Sequence, residues 1–178
     1  MNSEQVIDRT KKWIIDVVIG CNFCPFAANV VKQQTIFYRV EESVERKTCL
    51  TSFVYEMERL DNDPTIETTF LIFPNAFQQF DDYLDLLSHA EKLLKRKGNE
   101  GVYQLASFHP LYVFANSDKS DPANYTNRSI YPMLHLLREE SIDKALANYK
   151  GPENIPVRNI NFAKEKGLAY MKMLRDAL

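Results

Sequence analysis

Apolar positions recur along this chain with two different periods, and the switches between them outline its elements. Val6, Trp13, Ile14, Val17 and Val18 fall on one helical face, so residues 4–19 are predicted to form an amphipathic helix. Asn2 followed by Gln5 has the form of a capping box, and Gly20 is expected to stop the helix. Pro25 suits the first turn of a short second helix over about 25–33. Residues 35–41 are β-branched and aromatic and predict a strand. Helical spacing returns over 44–60 with Leu50, Phe53, Val54, Met57 and Leu60, until Asp61-Asn62-Asp63-Pro64 breaks it. Residues 67–73 read as a second strand closed by Pro74-Asn75, and 76–96 as a long helix. Residues 102–108 read as a third strand behind the turn at 98–101. The segment 109–132 contains Pro110, Pro122 and Pro132 and reads mostly as loop, long enough to suggest a functional role. Residues 133–138 fit a strand or a short helix equally, and 141–149 and 160–176 look helical.

This alternation predicts an α/β (α+β) fold, a sheet of about four strands covered by helices. A ferredoxin-like arrangement is its simplest version. A length of 178 residues suggests one domain, 1–178, able to bury a core without disulfides or structural metal. The formal net charge of -2 argues against a dedicated nucleic-acid partner. The longest apolar stretch, residues 13–20, contains Asp16 and is too short for a bilayer, so no membrane partner is expected. The opening residues Met1 to Gln5 lack the features of a signal peptide, and three cysteines are too few for a secreted disulfide scaffold. The expected compartment is the reducing cytosol, making the protein cytoplasmic.

Candidate chemistry concentrates in residues 104–139 and at Cys24. Two of the three histidines lie in the first region. His109 ends the third predicted strand beside the long loop, a position suited to general acid/base work. His135 lies in an apolar run and reads first as a core histidine. Arg128 and Arg138 offer forked donors to a carboxylate or phosphate, or to salt bridges with Asp121, Glu139 or Glu140. Gln104, Ser107, Asn124, Asn127, His135 and Glu139 complete a candidate ligand set, although the asparagines also suit turns. Cys24 precedes Pro25 and would cap the second helix, where backbone N–H groups lower a thiol's pKa. The alternative is a small apolar residue packing the helix start. A second Cys pair, needed for a zinc motif, is missing.

The tetrad Cys24-Pro25-Phe26-Ala27 is similar to the single-cysteine site of glutaredoxin-like and omega-class glutathione transferase proteins. Those need a strand directly before the cysteine, whereas 4–19 reads as a helix. Together with Ile66-Glu67-Thr68-Thr69 and the segment from Gln104 to Glu139, the tetrad resembles the family called domain of unknown function 1415, over nearly the whole chain. That family carries no assigned activity. Its pattern is usually apolar at the position of Cys21, which implies that Cys24 is the thiol of interest.

Four readings follow. A small-molecule enzyme would use Cys24 as nucleophile or redox centre, His109 as acid/base, Asp121 as a further catalytic carboxylate and the two arginines as anchors. A non-catalytic binder would hold an anionic metabolite on Arg128, Arg138 and the asparagines. A metal site would use Cys24, His109, His135 and Asp121. In a structural role the segment would lock a complicated loop. The enzyme is the leading expectation and the anion binder the alternative. No pattern indicates a cofactor, and the expected partner is a small, possibly anionic, molecule.

Overall fold

The computed structural model describes residues 2–147 and 149–177. Helix α1 (Ser3–Trp13) opens on the predicted capping box: the Gln5 amide donates to Asn2 Oδ1 at 2.8 Å and the Asn2 amide to Gln5 Oε1 at 3.1 Å. The helix does not continue regularly. Ile14–Ile19 wind as a π-helix, closed by bonds such as Gly20 N–H to Ile15 O at 3.0 Å. Gly20 keeps right-handed helical angles, and its role is steric, because a Cβ there would clash with the Asp16 carbonyl oxygen. The chain turns instead at Asn22, which takes a left-handed conformation (φ 53°). Helix α2 (Ala27–Gln33) then begins two residues after Pro25.

Strands β1 (Ile36–Val40) and β2 (Thr68–Ile72) run parallel, joined by α3 (Arg46–Asn62). Helix α4 (Phe80–Arg96) carries the chain on to β3 (Tyr103–Phe108) but leaves a gap in the sheet. Strand β4 (Met133–Arg138) returns through the long loop and fills that gap, antiparallel to both neighbours, giving the order β1-β2-β4-β3. The α+β class and the four strands agree with expectation. The ferredoxin-like version does not, because that fold reads β-α-β-β-α-β, whereas here α4 precedes β3 and β1 lies parallel beside β2. Strand order follows from long-range pairing, which periodicity does not encode.

Side-chain alternation gives the sheet two faces. Leu71, Leu134, Leu136 and Tyr103 pack against α3 and α4. Phe70, Ile72 and Met133 pack against α1, the π-helix and α6 (Ile155–Asp176), which breaks at Gly167 (φ 81°). Strands β2 and β4 are central, and their side chains are nearly all buried. Each large apolar side chain buried this way contributes roughly 1.5–3 kcal/mol before conformational entropy is subtracted. A short helix α5 (Glu139–Leu146) follows β4 directly. Among the described residues no helix is long and apolar enough to cross a membrane.

Candidate functional site

Most of the polar residues singled out beyond β3 are occupied in holding the chain there. His109 is fully buried between Phe80 and Tyr83. Its Nε2 donates to the Phe77 carbonyl at 2.8 Å and its Nδ1 accepts from the Leu111 amide at 3.0 Å. Both ring nitrogens are therefore committed, and burial pushes the pKa down, so the ring is neutral. Arg128 donates to the carbonyls of Tyr112 (3.0 Å) and Lys119 (2.8 Å), with its guanidinium over Tyr125. Arg138 donates to the carbonyls of Leu60 (2.5 Å), Ile66 (3.0 Å) and Asp63 (3.1 Å), tying β4 to the end of α3. Buried Asn124 accepts from the Phe114 amide and donates to the Asp118 carbonyl. Asp121 caps the 3-10 turn Pro122–Thr126 through the Ala123 amide, which holds its carboxyl below the usual range. Asn127 donates to the Ser107 carbonyl, and the Glu139 amide donates to Val102 at the start of α5.

A cavity of about 230 Å³ lies on the other side of the sheet, between its Phe70 face and the segment from Trp13 to Val30. The π-helix contributes Ile14 and Val18 to one wall, and α5 contributes Ile142 and Leu146 to another. Helices with π-turns recur at functional sites because the wider turn displaces side chains from their regular positions. The polar side chains of the lining are Cys24, Thr68, Gln104 and His135, and no Asp, Glu, Lys or Arg lines it. Gln104 is exposed, while Thr68 and His135 are buried. Cys24 also borders a second cavity of about 280 Å³, which Asn127 lines. Three of the sequence candidates, Cys24, Gln104 and His135, thus meet in the first cavity, and Cys24 and Asn127 meet in the second. His109 lines neither, and nor do Ser107, Asp121, Asn124, Arg128, Arg138 and Glu139.

The cavity is electrically neutral for physical reasons. The His135 ring stacks on Phe70 at 3.8 Å between centroids and lies 2.6 Å, through Nε2, from Thr68 Oγ1. Thr68 Oγ1 donates its single proton to the Leu136 carbonyl at 2.5 Å. Nε2 must therefore carry the proton it shares with Thr68, which leaves the lone pair on Nδ1. Burial pushes the His135 pKa down to about 3. At Cys24 two effects compete. Amides of Phe26 and Ala27 favour the thiolate, but desolvation is larger and raises the pKa. The expected lowering is thus reversed. Cys24 stands two residues before Phe26, the N-cap of α2, and low-dielectric surroundings outweigh the two amides.

A family model described as "Protein of unknown function (DUF1415)" matches residues 5–173. The chain belongs to the DUF1415 family. No curated protein and no solved structure matches it. The three sequence blocks that resemble the DUF1415 family converge on one place, since Cys24 comes from the first, Thr68 from the second, and Gln104 and His135 from the third. Thr68 was not among the sequence candidates. Its position in the second block, at a predicted strand start, was the available signal.

Proposed function

We propose that this chain binds a small, uncharged and largely apolar molecule in the cavity between the sheet and the Cys24 segment. Cys24, Thr68, Gln104 and His135 would meet the polar end of that molecule. The observation that carries this reading is a lining without charge: apolar walls, a neutral thiol and a neutral imidazole around about 230 Å³. Apolar cavities of roughly 150 Å³ stay dry and accept benzene-sized guests, so this one suits a ligand on the order of ten non-hydrogen atoms. Ligand sites typically combine such walls with a few convergent polar groups.

The competing readings have weaker support. An imidazole with a pKa near 3 is a poor proton acceptor at neutral pH, and a thiol raised above its ordinary value is a poor nucleophile there. An anionic ligand needs free cations, but Arg128 and Arg138 are engaged by backbone carbonyls. Among the described residues no group of three or more His, Cys, Asp or Glu side chains is arranged to hold a metal.

Thermal-shift titration with octanol and octanoate separates these readings, because a ligand bound only by the native state must stabilise it. Octanol is expected to raise the melting temperature more than octanoate. A larger shift with octanoate favours the anion binder, and no shift with any neutral apolar probe contradicts the proposal.

A further inference from the structure

Charged residues are nearly balanced over the chain, but not over its surface. The outer faces of α3 and α4 enclose a groove of about 840 Å³, remote from the cavity side of the sheet. Its floor is aliphatic, with half-buried Leu50 and Val54 from α3 and Leu93 from α4. Its rim holds five cations, Arg46, Lys47, Lys92, Lys95 and Arg96, all exposed, and no acidic residue lines it. Arg46 faces Asp85 at 3.8 Å and Lys95 faces Glu100 at 3.5 Å. Lys47, Lys92 and Arg96 have no carboxylate partner among the described residues. This leaves a concentrated positive field over half-buried hydrocarbon on a protein whose net charge is -2.

We propose that this groove docks an acidic amphipathic helix of a partner protein. The groove is a trough between two helices, which suits a rod-shaped segment laying its apolar stripe on the floor. From Arg46 to Val54 the α3 wall spans about 12 Å, so the segment needs two to three turns with apolar residues at i, i+3 or i+4, and i+7. Glutamates or aspartates flanking that stripe meet the two rows of cations. The groove's one ring, the exposed His89 imidazole, is held to the Asp85 carbonyl at 2.7 Å, and no Phe, Tyr or Trp lines it. Successive bases therefore have no stacking platform, which disfavours single-stranded nucleic acid. Its concavity keeps Leu50 and Leu93 from a flat bilayer.

The test uses the full chain and a fluorescent helical peptide carrying leucines at i, i+3, i+4 and i+7 among glutamates. Fluorescence anisotropy is read for this peptide, for a scrambled peptide of equal composition, for oligothymidylate and for phosphatidylserine vesicles. The patterned peptide is expected to bind, and to weaken about tenfold with the double substitution Lys92→Glu and Arg96→Glu. It is also expected to weaken between roughly 50 mM and 300 mM salt. Both substituted positions are exposed, so circular dichroism should be unchanged. Equal binding of the scrambled peptide, unaltered binding by the variant, no binding at all, or tighter binding of the oligonucleotide or vesicles each overturns the proposal.

Discussion

His135 concentrates the physical conflict of the cavity in one side chain. It is buried against Phe70 and hydrogen-bonded to Thr68, and its pKa falls from 6.5 to about 3. The unfolded chain takes up a proton there below about pH 6.5, whereas the folded chain does not until about pH 3. Its contribution to stability is thus complete above the higher value and is lost as pH falls through that window. One such proton corresponds to about 1.4 kcal/mol per pH unit. His109 shifts in the same direction and adds to the slope. Urea unfolding of His135→Gln between pH 4 and 6 is expected to give a slope shallower than wild type by about one proton. An unchanged slope refutes the buried, neutral assignment. The sequence hides this role because His135 lies on a strand whose side chains are nearly all buried, so its neighbours are apolar whichever face it serves. Its register opposite Phe70 and Ala106 turns it to the cavity, and that register depends on residues far away in the chain. His109, more conspicuous at a strand end, proves committed at both ring nitrogens.

At the scale of elements, local patterns carry most of the information. The capping box at Asn2, strands β1 to β3 and helices α3 and α4 all follow from periodicity and breakers within a few residues of their expected ends. The π-helix does not, because Ile14–Ile19 look like two more turns of α-helix until Gly20 meets the Asp16 carbonyl. Strand β4 is ambiguous from sequence because a six-residue apolar run has no resolvable period. The loop between β3 and β4 is ordered by its own polar side chains together with buried Tyr125, which joins the core under α6. Asn124 is its pivot, fully buried and joining Phe114 to Asp118. Asn124→Ala leaves a buried amide and carbonyl unpaired and is expected to cost roughly 2–4 kcal/mol. The urea midpoint should fall while the m-value holds, and octanol affinity well below the melting temperature should be unchanged. A loss of affinity without loss of stability would move Asn124 into the ligand site.

At the scale of the whole molecule, the sheet divides two tasks. One face, under α3 and α4, is closed by Phe53, Tyr83, Leu86 and their neighbours. The other is covered by α1, the π-helix, α2, α5 and α6, and this covering leaves the neutral cavity beside Cys24. The class of fold is legible in the sequence, and three of the residues it singles out, Cys24, Gln104 and His135, line one cavity. Which of those residues meet Cys24 is not, because the order β1-β2-β4-β3 brings His135 into the middle of the sheet and turns His109 to the α4 side.

Trp13 is the chain's single tryptophan, fully buried, and it lines this cavity, so its emission reports directly on occupancy. The decisive measurement is titration of that emission with octanol, in wild type and in Ala106→Leu, whose longer side chain fills the space beside His135. A saturable change in wild type is expected. In the variant the response should be lost while stability holds or rises by about 1 kcal/mol, as cavity filling commonly allows. An unresponsive wild-type tryptophan, or an equal response in the filled variant, contradicts the binding account.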